Sequence, residues 1–137
     1  MTNYLIQTVP DGLYLGYAPD SHRPGGGIPP PPQPIVVLPK GTRATKFGIV
    51  QYDDGTYGVD FAVNKDGRLF HWIVSPQHWK ITFRPTHDAF TIEEANGHGA
   101  WTTPANRNGE LQIHVQPLPH VSEEDLPQNV LFKLVTA

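Results

Sequence analysis

Apolar and polar residues alternate through most of the chain, and the alternation spells one phrase three times. In residues 78–94, Trp79, Ile81 and Phe83 alternate with Lys80, Thr82 and Arg84, residues 85–88 supply turn chemistry, and Phe90 and Ile92 resume the alternation. A period of two is that of a strand with one face buried. Residues 46–61 repeat the phrase: Phe47 and Ile49 lead in, Asp53-Asp54-Gly55 turns the chain, and Tyr57, Val59 and Phe61 lead out. Asp-Gly between apolar runs is a strong hairpin signal, because glycine takes a positive φ at no steric cost. The third copy is divided between the chain ends, with Phe132 and Leu134 leading in and Tyr4 and Ile6 leading out.

The remaining elements fall between these copies. Residues 4–9, 13–17, 35–38, 68–74, 100–103, 111–115 and 130–135 read as strands, bounded by Pro, Gly, Asn and Asp. Residues 18–34 and 117–128 form long excursions, the first with three consecutive glycines followed by five prolines. Helical spacing of apolar residues is absent, and only residues 123–126 suit a single helical turn. The outgoing strands begin near residues 4, 57 and 90, so the repeats differ in length while their strand signatures persist. Three hairpins closing a six-stranded barrel, with further strands capping one end, make an all-β fold of the β-trefoil type with an internal pseudo-threefold repeat. The short middle repeat implies that one of its cap strands is vestigial. The expected core is Ile6, Leu15, Phe47, Ile49, Tyr57, Val59, Trp79, Ile81, Phe90, Ile92, Ile113, Val115, Phe132 and Leu134.

Composition narrows the function. The 137 residues suit one domain, spanning 1–137, and the 13 glycines and 15 prolines suit a loop-rich β protein. A net charge of −3 with scattered basic residues gives no electrostatic case for nucleic acid or an anionic membrane. With no cysteine, the fold is held by packing and tolerates a reducing compartment. The first residues carry neither a basic nor an apolar leader, so a cytoplasmic location is expected.

Catalytic chemistry is hard to place. None of the three serines lies in a G-x-S-x-G context, and the seven histidines form no H-x-x-x-H or H-E-x-x-H pair. Glu93-Glu94 and Glu123-Glu124 are adjacent pairs, and adjacent side chains on a strand face opposite ways. The glycines at 25–27 precede no G-K-[ST]. The expectation is a binding protein that is not an enzyme and needs no metal or cofactor, with its function carried on loops.

The C-terminal half carries motifs of a known kind: Trp79-x-Ile81, Phe90-Thr91-Ile92-Glu93, Gly99-x-Trp101, Gln112-Ile113-x-Val115-x-Pro117-Leu118, and Leu131-Phe132 after a proline-rich approach. In this it resembles the mushroom β-trefoil serine protease inhibitors of the cospin type and, more distantly, the mycocypins, which inhibit cysteine proteases and legumain. The likeness covers residues 46–137 well and the first repeat in outline. It implies a monomeric fruiting-body inhibitor of trypsin-like proteases, acting against foreign digestive enzymes.

The cospin resemblance assigns the reactive site to the loop of residues 18–34. The candidate contacts there are Ser21, His22, Arg23, Pro24 and Gly25, with the Arg23 guanidinium suited to the acidic pocket of a trypsin-like enzyme. Pro24 departs from a cleavable pattern, so Arg23 is either an uncleavable plug or a solvated arginine. Asn64 and Lys65 are the second choice, since mycocypins place legumain-directed asparagine or trypsin-directed lysine in the corresponding loop. A plain turn would also use Asn-Lys-Asp-Gly. Arg43 and Arg107 are lesser candidates. Two other readings are a carbohydrate-binding trefoil, which exposure of Trp72 beside polar groups would favour, and a proline-rich ligand at residues 29–34 for an SH3- or WW-type domain.

Overall fold

The computed structural model describes residues 2–17, 31–73, 76–105 and 111–137. Its strands are β1 (Thr2–Thr8), β2 (Leu15–Tyr17), β3 (Gln33–Val37), β4 (Phe47–Gln51), β5 (Tyr57–Val59), β6 (Ala62–Lys65), β7 (Arg68–His71), β8 (Trp79–Arg84), β9 (Ala89–Glu94), β10 (Ala100–Thr102), β11 (His114–Gln116) and β12 (Phe132–Thr136). Neighbours run β12-β1-β4-β5-β8-β9, and β9 pairs back onto β12 through Phe132↔Phe90. That pairing closes a barrel of six antiparallel strands, and closure leaves those strands no free edge. The six are those of the repeated phrase: β1, β5 and β9 lead out, and β4, β8 and β12 lead in. The β2–β3, β6–β7 and β10–β11 pairs form the cap, joined to one another by β3–β7 and β7–β11 pairing. The architecture is a β-trefoil.

Large side chains from all three repeats meet inside. Ile6, Leu15, Phe47, Val59, Trp79, Ile92, Trp101, Ile113 and Phe132 are at or near zero exposure, with Ile49 and Val115 also buried. Tyr57, Ile81 and Leu134 are partly buried against them. Trp79 meets Trp101 edge-on at 5.6 Å, and Trp101 meets Phe132 at 6.1 Å, so an aromatic chain crosses the core. Among the described residues, helix is confined to two 3-10 turns, Glu123–Asp125 and Gln128–Val130.

Three expectations fail. The middle cap is complete, because β6 and β7 are both present with four residue pairs. Phe61 does not continue β5. Instead Asp60 (φ 41°) and Phe61 (φ 60°) turn the chain into β6, leaving Phe61 47% exposed. Left-handed backbone at a bulky non-glycine residue is unusual, which is why sequence alternation runs the strand through it. Phe90 lies half-buried against the exposed ring of Phe83, 5.1 Å away. At this end of the hairpin the opposite face is also covered: Ala89 and Thr91 are fully buried, and Ala89 packs with Leu126 of the long C-terminal excursion and with Val130 and Leu131 just before β12.

Candidate functional site

The β6–β7 connection is a two-residue turn. Asp66 (φ 58°) and Gly67 (φ 82°) both take the left-handed backbone that a type I′ hairpin needs, between the paired Lys65 and Arg68. Asn64 is fastened inward. Its Oδ1 accepts from the Gly67 amide (2.9 Å), its Nδ2 donates to Glu94 Oε2 (3.1 Å), and its own amide donates to Gln77 Oε1 (2.8 Å). Gln77 Nε2 donates to the same Glu94 oxygen at 2.8 Å. To enter a protease pocket, the Asn64 amide would have to leave this network. Replacing Asn64 with alanine should cost about 1–3 kcal/mol in a denaturation midpoint, since it strands part-buried partners. Lys65 is more accessible, with a side chain 43% exposed and a 3.5 Å ion pair to the solvated Asp66, a contact of little energetic weight.

Ser21, His22, Arg23, Pro24, Gly25 and Arg107 lie outside the described residues. The base of the first excursion is described, and it is built into the cap. β3 starts at Gln33, two residues earlier than expected, and pairs with β2 (Leu15↔Val37, Gly16↔Val36, Tyr17↔Ile35) and with β7 (Gln33↔His71, Pro34↔Phe70). Tyr17 donates its hydroxyl proton to Asp60 Oδ2 at 2.5 Å and packs its ring on Phe47 and His71. Burial first, then the Asp60 carboxylate, raises the Tyr17 phenol far above its ordinary range, so it remains a neutral donor.

The connection from β3 to β4 includes residues 39–46, most of them exposed. Residues 39–43 and Lys46 are exposed, and Lys40, Arg43 and Lys46 have no ion-pair partner among the described residues. Its ends are fixed. Leu38 is buried with its amide donating to Tyr14 O (2.8 Å), Thr42 N donates to Pro39 O (3.1 Å) across a turn with Gly41 at φ 87°, and Phe47 is fully buried. Gly16 passes directly beneath: a β-carbon there would sit 2.6 Å from both Leu38 Cδ1 and Thr45 Oγ1.

A hydroxyl, an imidazole and a carboxylate also meet at the β4–β5 turn. Asp54 Oδ1 accepts from the Thr56 amide (2.9 Å) and the Thr56 hydroxyl (2.5 Å), and Thr56 Oγ1 lies 2.9 Å from His78 Nδ1. The hydroxyl's one proton goes to Asp54, so His78 donates to Thr56 instead of accepting from it. That is the reverse of what a general base does for a nucleophile. The Thr56 hydrogen bonds hold the exposed Asp54 carboxyl below its usual range. Among the described residues, no cluster of three or more His, Asp or Glu side chains could hold a metal ion.

The family model for peptidase inhibitor I66 matches residues 1–136. The chain belongs to that family. The cospin-type resemblance seen in the framework motifs is thereby shown. Solved structures share the I66 chain's fold. A proteinase inhibitor from Coprinopsis cinerea superposes with a TM-score of 0.81 at 22% identity, over 99% of this chain and 97% of that one. A salivary protein from Culex quiquefasciatus, of the cysteine- and tryptophan-rich family, superposes with a TM-score of 0.69 at 15% identity, over 99% and 94%. No curated protein matches the chain. Family and fold together make this a chain of the protease-inhibitor class.

Proposed function

We propose that the chain inhibits trypsin-like serine proteases as a monomer, presenting a basic side chain from a loop on the rigid barrel. The observation that carries this reading is the I66 match over residues 1–136. The physical logic supports it: a closed barrel fixes both ends of each loop, so a loop binds without the ordering cost of a flexible peptide. Arg23, with Ser21, His22, Pro24 and Gly25 around it, is the contact that the cospin resemblance implies, and its guanidinium suits an acidic specificity pocket. A carbohydrate-binding reading has less support, because Trp79 and Trp101 are fully buried and Trp72 is half-buried. Inhibition assays against trypsin, chymotrypsin, subtilisin, papain and legumain test the proposal. The expected result is tight inhibition of trypsin. Inhibition of papain or legumain alone would replace it with the mycocypin-type alternative, and inhibition of none would remove it.

A further inference from the structure

We propose that residues 39–46 form a protease-binding loop in their own right, with Arg43 as the residue that enters an acidic specificity pocket. This rests on the reading of the chain as a trypsin-directed inhibitor, and assigns it a contact that neither the family nor the fold specifies.

A comparison of the basic residues leads to this loop. Arg84 is held by Thr91 (3.1 Å) and Glu93 (3.5 Å), Lys133 by Asp88 (3.5 Å), and Lys65 by Asp66 at the shoulder of a tight turn. Arg68 and Lys80 lie on strands, so their backbones are committed to ladders. Arg43 is, among the described residues, the arginine that is exposed, outside a strand and without a charged partner. Its guanidinium is therefore presented to solvent at no cost in broken contacts.

The backbone around it meets the second requirement. A protease reads its substrate as an added strand, pairing with backbone amides and carbonyls on either side of the specificity residue. Residues 43–46 make no backbone hydrogen bond among the described residues, so those groups are available. The neighbours Thr42, Ala44 and Thr45 are small, uncharged and not proline, and none would obstruct the approach of an extended cleft. Rigidity is the third requirement. The loop is clamped by buried Leu38 and Phe47 and by the close packing of Thr45 and Leu38 over Gly16, which limits the freedom lost on docking. The loop leaves β3 at the Leu15–Val37 end of the β2–β3 ladder, opposite the end where the β2–β3 connection joins.

The test is a titration of trypsin active sites with the full chain, its Arg43→Ala variant and its Arg43→Lys variant, each with a thermal melt. The Arg43→Ala chain should take up one equivalent of trypsin fewer than the unmodified chain, with its melting temperature unmoved. Arg43→Lys should restore that equivalent, since an acidic pocket accepts either cation. If Arg43→Ala takes up as much trypsin as the unmodified chain, this assignment is overturned while the inhibitor reading stands. If the unmodified chain takes up none, both fall.

Discussion

Truncating Trp79 to alanine should cost the fold about 3–5 kcal/mol, measured as a shift in a denaturant midpoint. The indole is fully buried, and it joins parts of the chain that are far apart in sequence. Through the backbone it pairs with Tyr57 of β5 and Glu94 of β9, and its ring meets Trp101 of β10 edge-on at 5.6 Å. Its Nε1 donates to the carbonyl of Ala62 at 2.8 Å, fastening the barrel to the first strand of the middle cap. Alanine would leave a cavity with Trp101 on one side, and an unsatisfied carbonyl on the other. Domain stabilities are about 5–15 kcal/mol, so a loss of this size brings unfolding within reach of mild conditions. Trp79→Phe should cost less, since it keeps a ring in the core and loses chiefly the hydrogen bond. The half-buried Trp72, changed to alanine, is the control. If Trp79→Ala shifts the midpoint no more than Trp72→Ala does, the core described above does not centre on Trp79.

The same residue shows what the sequence makes legible. Trp79 and Ile81, Phe47 and Ile49, and Phe132 and Leu134 announce barrel strands because a half-buried strand needs large apolar residues at every second position, and three copies expose the symmetry. The rule fails where one of its conditions fails. Ala89 and Thr91 read as the wet face of their hairpin, yet both are buried, Ala89 under Leu126 from an excursion that alternation does not describe and under Val130 and Leu131, which turn before β12 instead of belonging to it. Phe61 reads as strand, since Asp60 alone is a weak turn signal and a bulky aromatic seldom takes the left-handed backbone that follows it. β6 is hidden with it, being only four residues long and starting directly after that turn.

The candidate site is less legible for a related reason. Asn64 looks like an exposed turn residue, and its turn is real, but the partners that hold its side chain are Gln77 and Glu94 from elements outside the turn. No window around Asn64 contains that information. Arg43 presents the opposite case. Its surroundings, Lys-Gly-Thr-Arg-Ala-Thr-Lys, carry no pattern, and its significance comes from the ion pairs that Arg84 and Lys133 make and it does not.

Arg23→Ala should weaken trypsin inhibition at least tenfold, and up to about a thousandfold, when it is introduced into a chain that already carries Arg43→Ala. The background matters, because with both loops intact a second contact would mask the loss of the first. An interface anchor inserted in a desolvated pocket is worth several kcal/mol, and each 1.4 kcal/mol is a factor of about ten in affinity. Arginine supplies a planar fork of donors that alanine cannot replace, so the effect should appear chiefly as faster dissociation. Lys65→Ala in the same background is the comparison. The Lys65 ammonium faces solvent and an exposed Asp66, so its removal should leave the melting temperature nearly unmoved, as should removal of Arg23 if that residue serves binding alone. A large loss of inhibition in Lys65→Ala with none in Arg23→Ala would transfer the contact to the β6–β7 turn. Losses in neither would mean that the trypsin contact of this inhibitor lies outside both loops.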